Sequence, residues 1–299
     1  MILTSLLGLG ASADIEIELD NNESRKTTMI KDRNDNQKMA YIYQDKESIS
    51  GRCAIYLKNS KSIDHQGIRV DLIGMIENFY DKSQNLKFLT LSRELEPPGT
   101  LSENTTCEFN FNNVEMEYES YCGICVRVRY FIQISINRSY GTIKEDHEFV
   151  VFNPSTEPDT NHKLRMEVGI EECLHIEFEY QSSKYTLKDV VVGKVHFNLV
   201  RIKIKQMELA IVRKETVGSG QASETQKETL SKYEVMDGAP VKGEEIPIRY
   251  YLAGIDLTPT YLNVSKRFST KYYLSLILID SEDRRYFKEQ EIVLWRDKL

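Results

Sequence analysis

Cysteine is scarce in this chain of 299 residues. There are five cysteines, and their odd number and scattered positions do not fit a disulfide framework, which indicates a reducing compartment. Cys122 and Cys125 form a Cys-x-x-Cys pair that supplies only two of the four ligands of a structural zinc site, and the five histidines are isolated. We interpret the pair as two small apolar residues at the entry to a strand, rather than as half a zinc site or a redox pair. We therefore predict no metal and no cofactor.

Catalytic motifs are also missing. The sequence contains no G-x-S-x-G, no H-E-x-x-H and no phosphate-binding loop. The segment from Gly8 to Ala13 satisfies the dinucleotide pattern G-x-G-x-x-A. That pattern requires a preceding strand and a following helix, and residue 8 of this chain offers neither. The sequence therefore predicts a protein that is not an enzyme.

Long hydrophobic runs and clustered positive charge are absent as well. No apolar run is long enough to cross a membrane, and the net charge of −7 argues against nucleic acid as a partner. Arg201, Lys203 and Lys205 alternate with apolar residues, which predicts a strand with one solvated face rather than a lipid-binding site. Residues 1–13 lack the basic start of a secretion signal, and we predict an N-terminal tail and a cytoplasmic protein.

Helical periodicity is almost absent, whereas strand patterns occur from end to end. Apolar residues alternate with polar ones in the segments 15–19, 53–57, 107–111 and 174–180. Short strands with one apolar face predict antiparallel sheets stacked as sandwiches. We predict loops at Lys31–Lys38 and at Gly220–Lys232, since the first is rich in Asp and Asn and the second is polar on all sides.

Two strand patterns recur 142 residues later. Ser48–Leu57 matches Val190–Leu199, and Tyr130–Ile136 matches Tyr272–Leu278 at the same offset. A repeat of this size is a domain and not a solenoid module. The sequence predicts an all-β protein with domains at 14–152 and 163–299, joined by a linker at 153–162 that contains two prolines.

Five blocks of the sequence resemble one known family. They are His65–Gly74, Tyr118–Tyr121, Met166–Tyr180, Lys232–Gly243 and Arg284–Arg296. On these blocks, the chain resembles the vacuolar protein sorting-associated protein 26 family, the arrestin-like subunit of the endosomal cargo-recycling coat retromer. The resemblance implies two arrestin-like antiparallel β-sandwich domains in tandem. It also implies a non-enzymatic adaptor, peripheral on endosomal membranes, that helps to retrieve transmembrane proteins to the Golgi and the plasma membrane.

The resemblance also implies two partner-binding sites. Val235 and Met236 match the positions that bind the large α-solenoid subunit of retromer. The Asp-Gly-Ala-Pro sequence that follows them is typical of a turn, and a turn there would leave two exposed apolar anchors near a loop. Val168 and Phe287 match positions of a groove, shared with a phosphoinositide-binding sorting nexin, that holds the cytosolic tail of a transmembrane cargo protein. The alternative interpretation of Val235 and Met236 is ordinary hydrophobic residues at the end of a strand. The alternative interpretation of Val168 and Phe287 is residues of the core.

A second sorting-nexin contact is less well matched. The resemblance places it at Asp45 and at Pro154, but Gln44 and Lys46 replace the family's neighbours of Asp45, and Pro154 replaces a leucine. The alternative to the retromer subunit is a retromer-independent arrestin-type scaffold that binds receptor tails. Pro-Pro-x-Tyr ligands would favour that alternative, and the Pro97-Pro98 pair is followed by Gly99.

Overall fold

The computed structural model describes residues 13–20, 25–31, 37–58, 62–156, 160–170, 172–218 and 223–298. The chain forms two compact units, one of Met1–Cys122 with Val126–Asn153 and one of Gly123–Cys125 with Pro154–Leu299. Most of the described residues lie in β-strands, no α-helix occurs among them, and a short 3₁₀ helix lies at Lys82–Gln84. The predicted all-β fold is confirmed.

The first unit stacks a three-stranded sheet on a seven-stranded sheet. The small sheet has the order β1 (Ala13–Leu19), β4 (Ile49–Leu57), β9 (Thr105–Phe111). The large sheet has the order β2 (Thr27–Lys31), β3 (Gln37–Tyr43), β12 (Thr142–Val151), β11 (Val126–Asn137), β6 (Ile68–Asn78), β7 (Leu86–Glu96), and β10 (Tyr121–Cys122) also pairs with β11. A two-stranded sheet pairs β5 (Ile63–His65) with β8 (Gly99–Leu101).

Alternation of apolar and polar residues explains how these strands are placed. In β1, Ile15 and Leu19 are buried while Glu16 and Glu18 are exposed, because successive side chains of a strand point to opposite faces. The central strand β11 carries Tyr130, which is fully buried and donates its hydroxyl proton to a backbone carbonyl oxygen 2.7 Å away. A buried tyrosine whose hydroxyl is hydrogen-bonded adds apolar contact area and leaves no buried polar group without a partner.

The second unit is also a two-sheet sandwich. One sheet has the order β13 (Leu164–Ile170), β14 (Leu174–Tyr180), β16 (Val190–Val200), β19 (Glu245–Tyr251). The other has the order β15 (Lys184–Thr186), β22 (Arg285–Trp295), β21 (Phe268–Asp280), β17 (Ile204–Val217), β18 (Glu224–Asp237), and β20 (Tyr261–Val264) also pairs with β21. The core of this unit contains the buried residues Ile176, Phe178, Phe197, Leu209 and Leu276 among others.

The strand order of the two units is the same in outline. The sheet β3-β12-β11-β6-β7 corresponds to β15-β22-β21-β17-β18, and the sheet β1-β4-β9 corresponds to β14-β16-β19. In each unit, one strand, β3 or β15, joins the large sheet in parallel, and this parallel pairing involves only the end of β12 or β22. The strands β11 and β21 begin at Val126 and Phe268, 142 residues apart. The predicted duplication is therefore confirmed by the topology.

Two local predictions are wrong. Residues 224–232 of the predicted loop Gly220–Lys232 belong to β18, because an edge strand needs no apolar face to pair with its neighbour, and residues 220–222 lie outside the described residues. Arg201 and Lys203 do not lie in a strand, since the chain bends at Ile202 between β16 and β17. Their side chains are exposed, as predicted, but on a turn. Most of the loop Lys31–Lys38 and residues 1–12 of the tail are not described.

Among the described residues, no helix is long and apolar enough to cross a membrane.

Candidate partner-binding surfaces

Val235 lies in a β-bulge near the end of β18. Met236 is opposite Met207, and Glu234 is opposite Glu208, so Val235 is an extra residue on β18 with no counterpart on β17. A bulge of this kind re-aims side chains and often ends the pairing of a strand. Gly238, with φ of 132°, follows in the turn, where its positive φ requires a residue without a Cβ.

The bulge places two consecutive apolar side chains on the same side of the sheet. Val235 and Met236 are both half-buried, and both pack against the hydrophobic core of the second unit. Consecutive residues of a regular strand would point to opposite faces. The expectation of two exposed side chains beside a loop is therefore corrected. They lie at the end of β18, just before the turn that contains Gly238. Each side chain keeps part of its surface accessible to solvent.

Polar and aromatic groups border this pair. On the β18 side, Lys232 Nζ lies 3.3 Å from Glu208 Oε2, and Gln206 Nε2 donates to Glu234 Oε2 at 2.9 Å. Tyr233, a third exposed, packs its ring 5.5 Å from that of Tyr250 on β19. Sequence analysis did not assign a role to Tyr233, because the edge strand that carries it has no apolar alternation to predict it. An apolar pair next to charged and aromatic groups is a candidate anchor for a partner.

Phe287 is the most exposed large apolar side chain of β22, with 71% of its surface accessible. It lies opposite Ile277 of β21. On its other side β22 pairs with β15 only at Val293, Leu294 and Trp295. The part of β22 that carries Phe287 therefore has backbone groups at a sheet edge, where an added strand could pair with them.

The turn before β22 is held by one buried carboxylate. Asp280 is 1% exposed, and it accepts hydrogen bonds from Arg284 Nε at 2.7 Å and from the Tyr286 hydroxyl at 2.9 Å. Burial raises the pKa of the Asp280 carboxyl, but the bonds from Arg284, Tyr286 and the backbone outweigh that effect and lower the pKa to about 2. The start of β22, and with it Phe287, is positioned by this network.

Val168 lies on β13, the edge strand of the other sheet. It pairs with Ile176 of β14, is half-buried and packs against the core. Asn161, just before β13, accepts from the backbone of Ser183 at 2.9 Å and donates to the carbonyl of Lys184, where β15 begins. The edges β13 and β15–β22 therefore lie on one side of the sandwich of the second unit.

The two candidate surfaces of the second unit lie on opposite sides of its sandwich. β18 and β19 contact each other at one side. Since β18 ends one sheet and β19 ends the other, the remaining ends, β13 and β15–β22, form the far side. Val235 and Met236 are on the first side, and Val168 and Phe287 are on the second. The structure does not bring these pairs together, and a partner at one pair leaves the other accessible.

Asp45, in the first unit, is exposed and has a local structural role. Its Oδ1 accepts the Met116 backbone N–H at 2.7 Å, and its own N–H donates to Asn153 Oδ1 at 2.9 Å. Pro154 is half-buried and belongs to the second unit. One oxygen of the carboxylate that the resemblance assigns to a sorting nexin is thus already bonded to the backbone of its own unit.

Cys122 is exposed and Cys125 is buried. The Cys125 N–H donates to Glu215 Oε1 at 2.6 Å, and burial together with that carboxylate raises the pKa of the Cys125 thiol to about 12. Within the described ranges, no group of three or more His, Cys, Asp or Glu side chains could hold a metal ion. The neutral thiol of Cys125 is a poor nucleophile.

The chain is similar to known proteins over nearly its whole length. Residues 9–283 match the family model described as vacuolar protein sorting-associated protein 26. The human protein named vacuolar protein sorting-associated protein 26B is 48% identical over 293 residues, which cover 98% of this chain and 87% of that protein. The Dictyostelium discoideum protein named vacuolar protein sorting-associated protein 26 is 48% identical over 289 residues, or 96% of this chain and 83% of that protein. The chain belongs to the vacuolar protein sorting-associated protein 26 family.

Proposed function

We propose that this protein is a retromer subunit that selects transmembrane cargo on endosomes for retrieval to the Golgi and the plasma membrane. Members of this family are sorting proteins, and the chain is not an enzyme. The observation that carries the proposal is the opposite placement of two binding surfaces on the second unit. A protein that joins cargo to a coat needs two partners at the same time, and this placement permits both.

The surface at Val235 and Met236 is proposed to bind the large α-solenoid subunit. The bulge puts two apolar side chains next to each other on an edge strand, and the charged pairs at Glu208 and Glu234 border them. Binding would remove the remaining accessible surface of both side chains from water. Central apolar anchors inside a polar border account for most of the affinity in many interfaces.

The surface at Val168 and Phe287 is proposed to bind a cargo tail together with a sorting nexin. An extended tail can add to the free edge of β22 through backbone hydrogen bonds, and Phe287 supplies apolar surface for a hydrophobic sorting motif. Val168 lies on β13 at the same side of the sandwich. Backbone pairing would give affinity, and the two side chains would give selectivity.

Membrane association is proposed to be indirect. The net charge is −7, and Lys205 of the small basic segment is already bound to Asp283 at 3.1 Å. Two or three basic residues hold a protein weakly on an anionic membrane, at about 1 kcal/mol each. The isolated protein should not sediment with phosphatidylserine liposomes at physiological salt, and sedimentation by the protein alone would contradict indirect association. The proposed domain bounds remain 14–152 and 163–299.

Co-elution with the large α-solenoid retromer subunit tests the proposal. Purified protein and solenoid subunit are mixed and run on a size-exclusion column, with and without a cargo-tail peptide and a phosphoinositide-binding sorting nexin. The expected result is a stable two-subunit complex that binds the peptide only when the sorting nexin is added. Binding of receptor tails without any solenoid complex would instead favour the retromer-independent scaffold.

A further inference from the structure

Two free cysteines face each other across neighbouring strands of the first unit. Cys53 on β4 is directly opposite Cys107 on β9, and both are unpaired thiols. Their side chains are 0% and 8% exposed, so both point into the sandwich. Residues opposite each other in antiparallel strands have Cβ atoms about 4.5–5.5 Å apart, and a disulfide needs roughly 3.5–4.5 Å. A shift of about 1 Å between the strands would bring the two sulfurs to bonding distance.

The strand that must move, β9, is hydrogen-bonded to a neighbouring strand on one side only, and it also contacts β7 of the large sheet. β9 is the last strand of the three-stranded sheet, and its sole partner in that sheet is β4. An edge strand adjusts its position with fewer broken hydrogen bonds than a central one. The 8% exposure of Cys107 also gives a small oxidant access to this residue, whereas Cys53 has no accessible surface.

The two thiols differ in reactivity. A hydrogen bond from the Cys53 thiol lowers the pKa of Cys107, although burial opposes this shift. The same hydrogen bond, together with burial, raises the pKa of Cys53. The thiolate is the nucleophile in thiol chemistry. Cys107 is also the one of the two with accessible surface, so we assign it as the attacking sulfur and Cys53 as the resolving one.

Packing alone does not require cysteines at these positions. The strands β4 and β16 are equivalent, and in the second unit the same pair of positions is Val195 opposite Ile246. Val195 is fully buried, and Ile246 packs against the core. An aliphatic pair thus fills the same place in the same fold, and it provides the control substitutions for a test of the thiols.

We propose that Cys53 and Cys107 are an oxidative modification site that forms a reversible disulfide with a peroxide. The Cys107 thiolate attacks one oxygen of hydrogen peroxide, the O–O bond breaks, and Cys107 becomes a sulfenic acid while the released hydroxide takes up a proton as water. The Cys53 sulfur then displaces hydroxide from the Cys107 sulfur, and the Cys53 proton leaves with it as a second water. Two thiols and one peroxide give one disulfide and two waters, and the two electrons pass from sulfur to peroxide.

The consequence is a covalent link between an edge strand and the middle of its sheet. A disulfide between residues 53 and 107 closes a loop of about 54 residues, which restricts the unfolded chain and stabilises the folded one. A disulfide between neighbouring strands is also open to reduction by cytosolic thiols when its geometry is strained. The link is therefore proposed to form under peroxide and to be lost on reduction.

The test uses the full chain with Cys122, Cys125 and Cys173 replaced by serine, so that only the proposed pair remains. The folded protein is treated with hydrogen peroxide, quenched, unfolded, alkylated with iodoacetamide and analysed by peptide mass spectrometry. The expected result is a fall from two alkylated cysteines to none, with a linked peptide pair containing Cys53 and Cys107. Dithiothreitol should restore both thiols, and the oxidised protein should melt at a higher temperature than the reduced one.

Cys53→Val in the same background is the matched control, because Val195 occupies the equivalent position. This variant should give no linked peptide and should carry Cys107 on to the sulfinic acid. If the triple serine variant does not fold, the same peptide mapping is carried out on the wild-type protein. The proposal is overturned if both thiols stay alkylatable in the wild type, or if Cys107 is oxidised to the sulfinic acid with Cys53 still free.

Discussion

Gly51 and Gly193 occupy equivalent positions in β4 and β16, and each lies where the neighbouring strand leaves no room for a side chain. A Cβ on Gly51 would lie 2.3 Å from the carbonyl oxygen of Glu18, and one on Gly193 would lie 2.4 Å from that of Glu179. An aromatic ring, from Phe109 or Tyr180, closes the same space at 2.9 Å in both units. The same close approach has been kept in both copies of the duplicated unit.

Gly51→Ala and Gly193→Ala should therefore each destabilise the protein by about 1–3 kcal/mol, because the obstructing atom is backbone and cannot rotate away. Gly169→Ala is the control, since its Cβ would meet nothing closer than 3.5 Å and should change stability by less than about 0.5 kcal/mol. Urea unfolding midpoints of the three variants measure the difference. Equal midpoints for all three would contradict the steric explanation.

Val235→Asp combined with Met236→Asn should abolish binding of the solenoid subunit. Loss of two central apolar contacts costs on the order of 2–4 kcal/mol at a hot spot, which is roughly a 30- to 1,000-fold loss of affinity. Because both side chains are half-buried, we also expect the folded protein to lose about 1–2 kcal/mol of stability. Calorimetric titration with the solenoid subunit and thermal melting measure the two effects.

Leu230→Asn separates these two effects. Leu230 is the extra residue of the second bulge of β18, and it too packs against the core while remaining half-buried. This variant should lose similar stability and keep full affinity for the solenoid subunit. If it loses affinity as well, general weakening of β18 explains the result and the assigned anchor is wrong.

Phe287→Ala should weaken binding of a cargo-tail peptide at least about fivefold, or roughly 1 kcal/mol, in the presence of the sorting nexin. The side chain is 71% exposed, so the melting temperature should not change. Tyr140→Ala removes an 88% exposed aromatic from the first unit and should leave peptide binding intact. Fluorescence anisotropy of a labelled peptide measures both variants, and equal losses would contradict a specific role for Phe287. Val168→Asp is a poorer probe, because Val168 packs against the core.

The ionisation of Asp280 should make the free energy of unfolding depend on pH in the acid range. Its pKa in the folded protein is about 2, below the ordinary value of 3.8, so the ionised form is favoured by folding. The stability that it contributes is complete above about pH 4 and is lost as the pH falls toward 2. The Asp280→Asn variant lacks this carboxylate. The difference in stability between the variant and the wild type should therefore shrink as the pH falls from about 4 toward 2. Urea unfolding at pH 5, 4, 3 and 2.5 measures it, and a constant difference would count against the network.

Most of the fold could be predicted from the sequence, because alternation is a local property. The pattern at Leu174–Tyr180 gives β14, with Ile176 and Phe178 fully buried as the apolar positions require. The strand β18 could not be predicted in this way, since an edge strand with both faces largely exposed has no apolar alternation. The bulge at Val235 could not be predicted either, because it depends on how β18 pairs with residues of β17 that are distant from it in the sequence.

The exposed edge of β18 has a consequence for the protein when it is alone. An edge strand of 14 residues, paired on one side only, is a template for association with another copy, and charged side chains along it oppose that association. Glu224, Lys227, Glu228, Lys232 and Glu234 supply such charges over most of β18, and the row is interrupted at Val235 and Met236 before Asp237 ends the strand. The residues proposed to attract the solenoid subunit thus carry no charge of their own that would oppose self-association. Production together with that subunit would cover them during folding and limit aggregation.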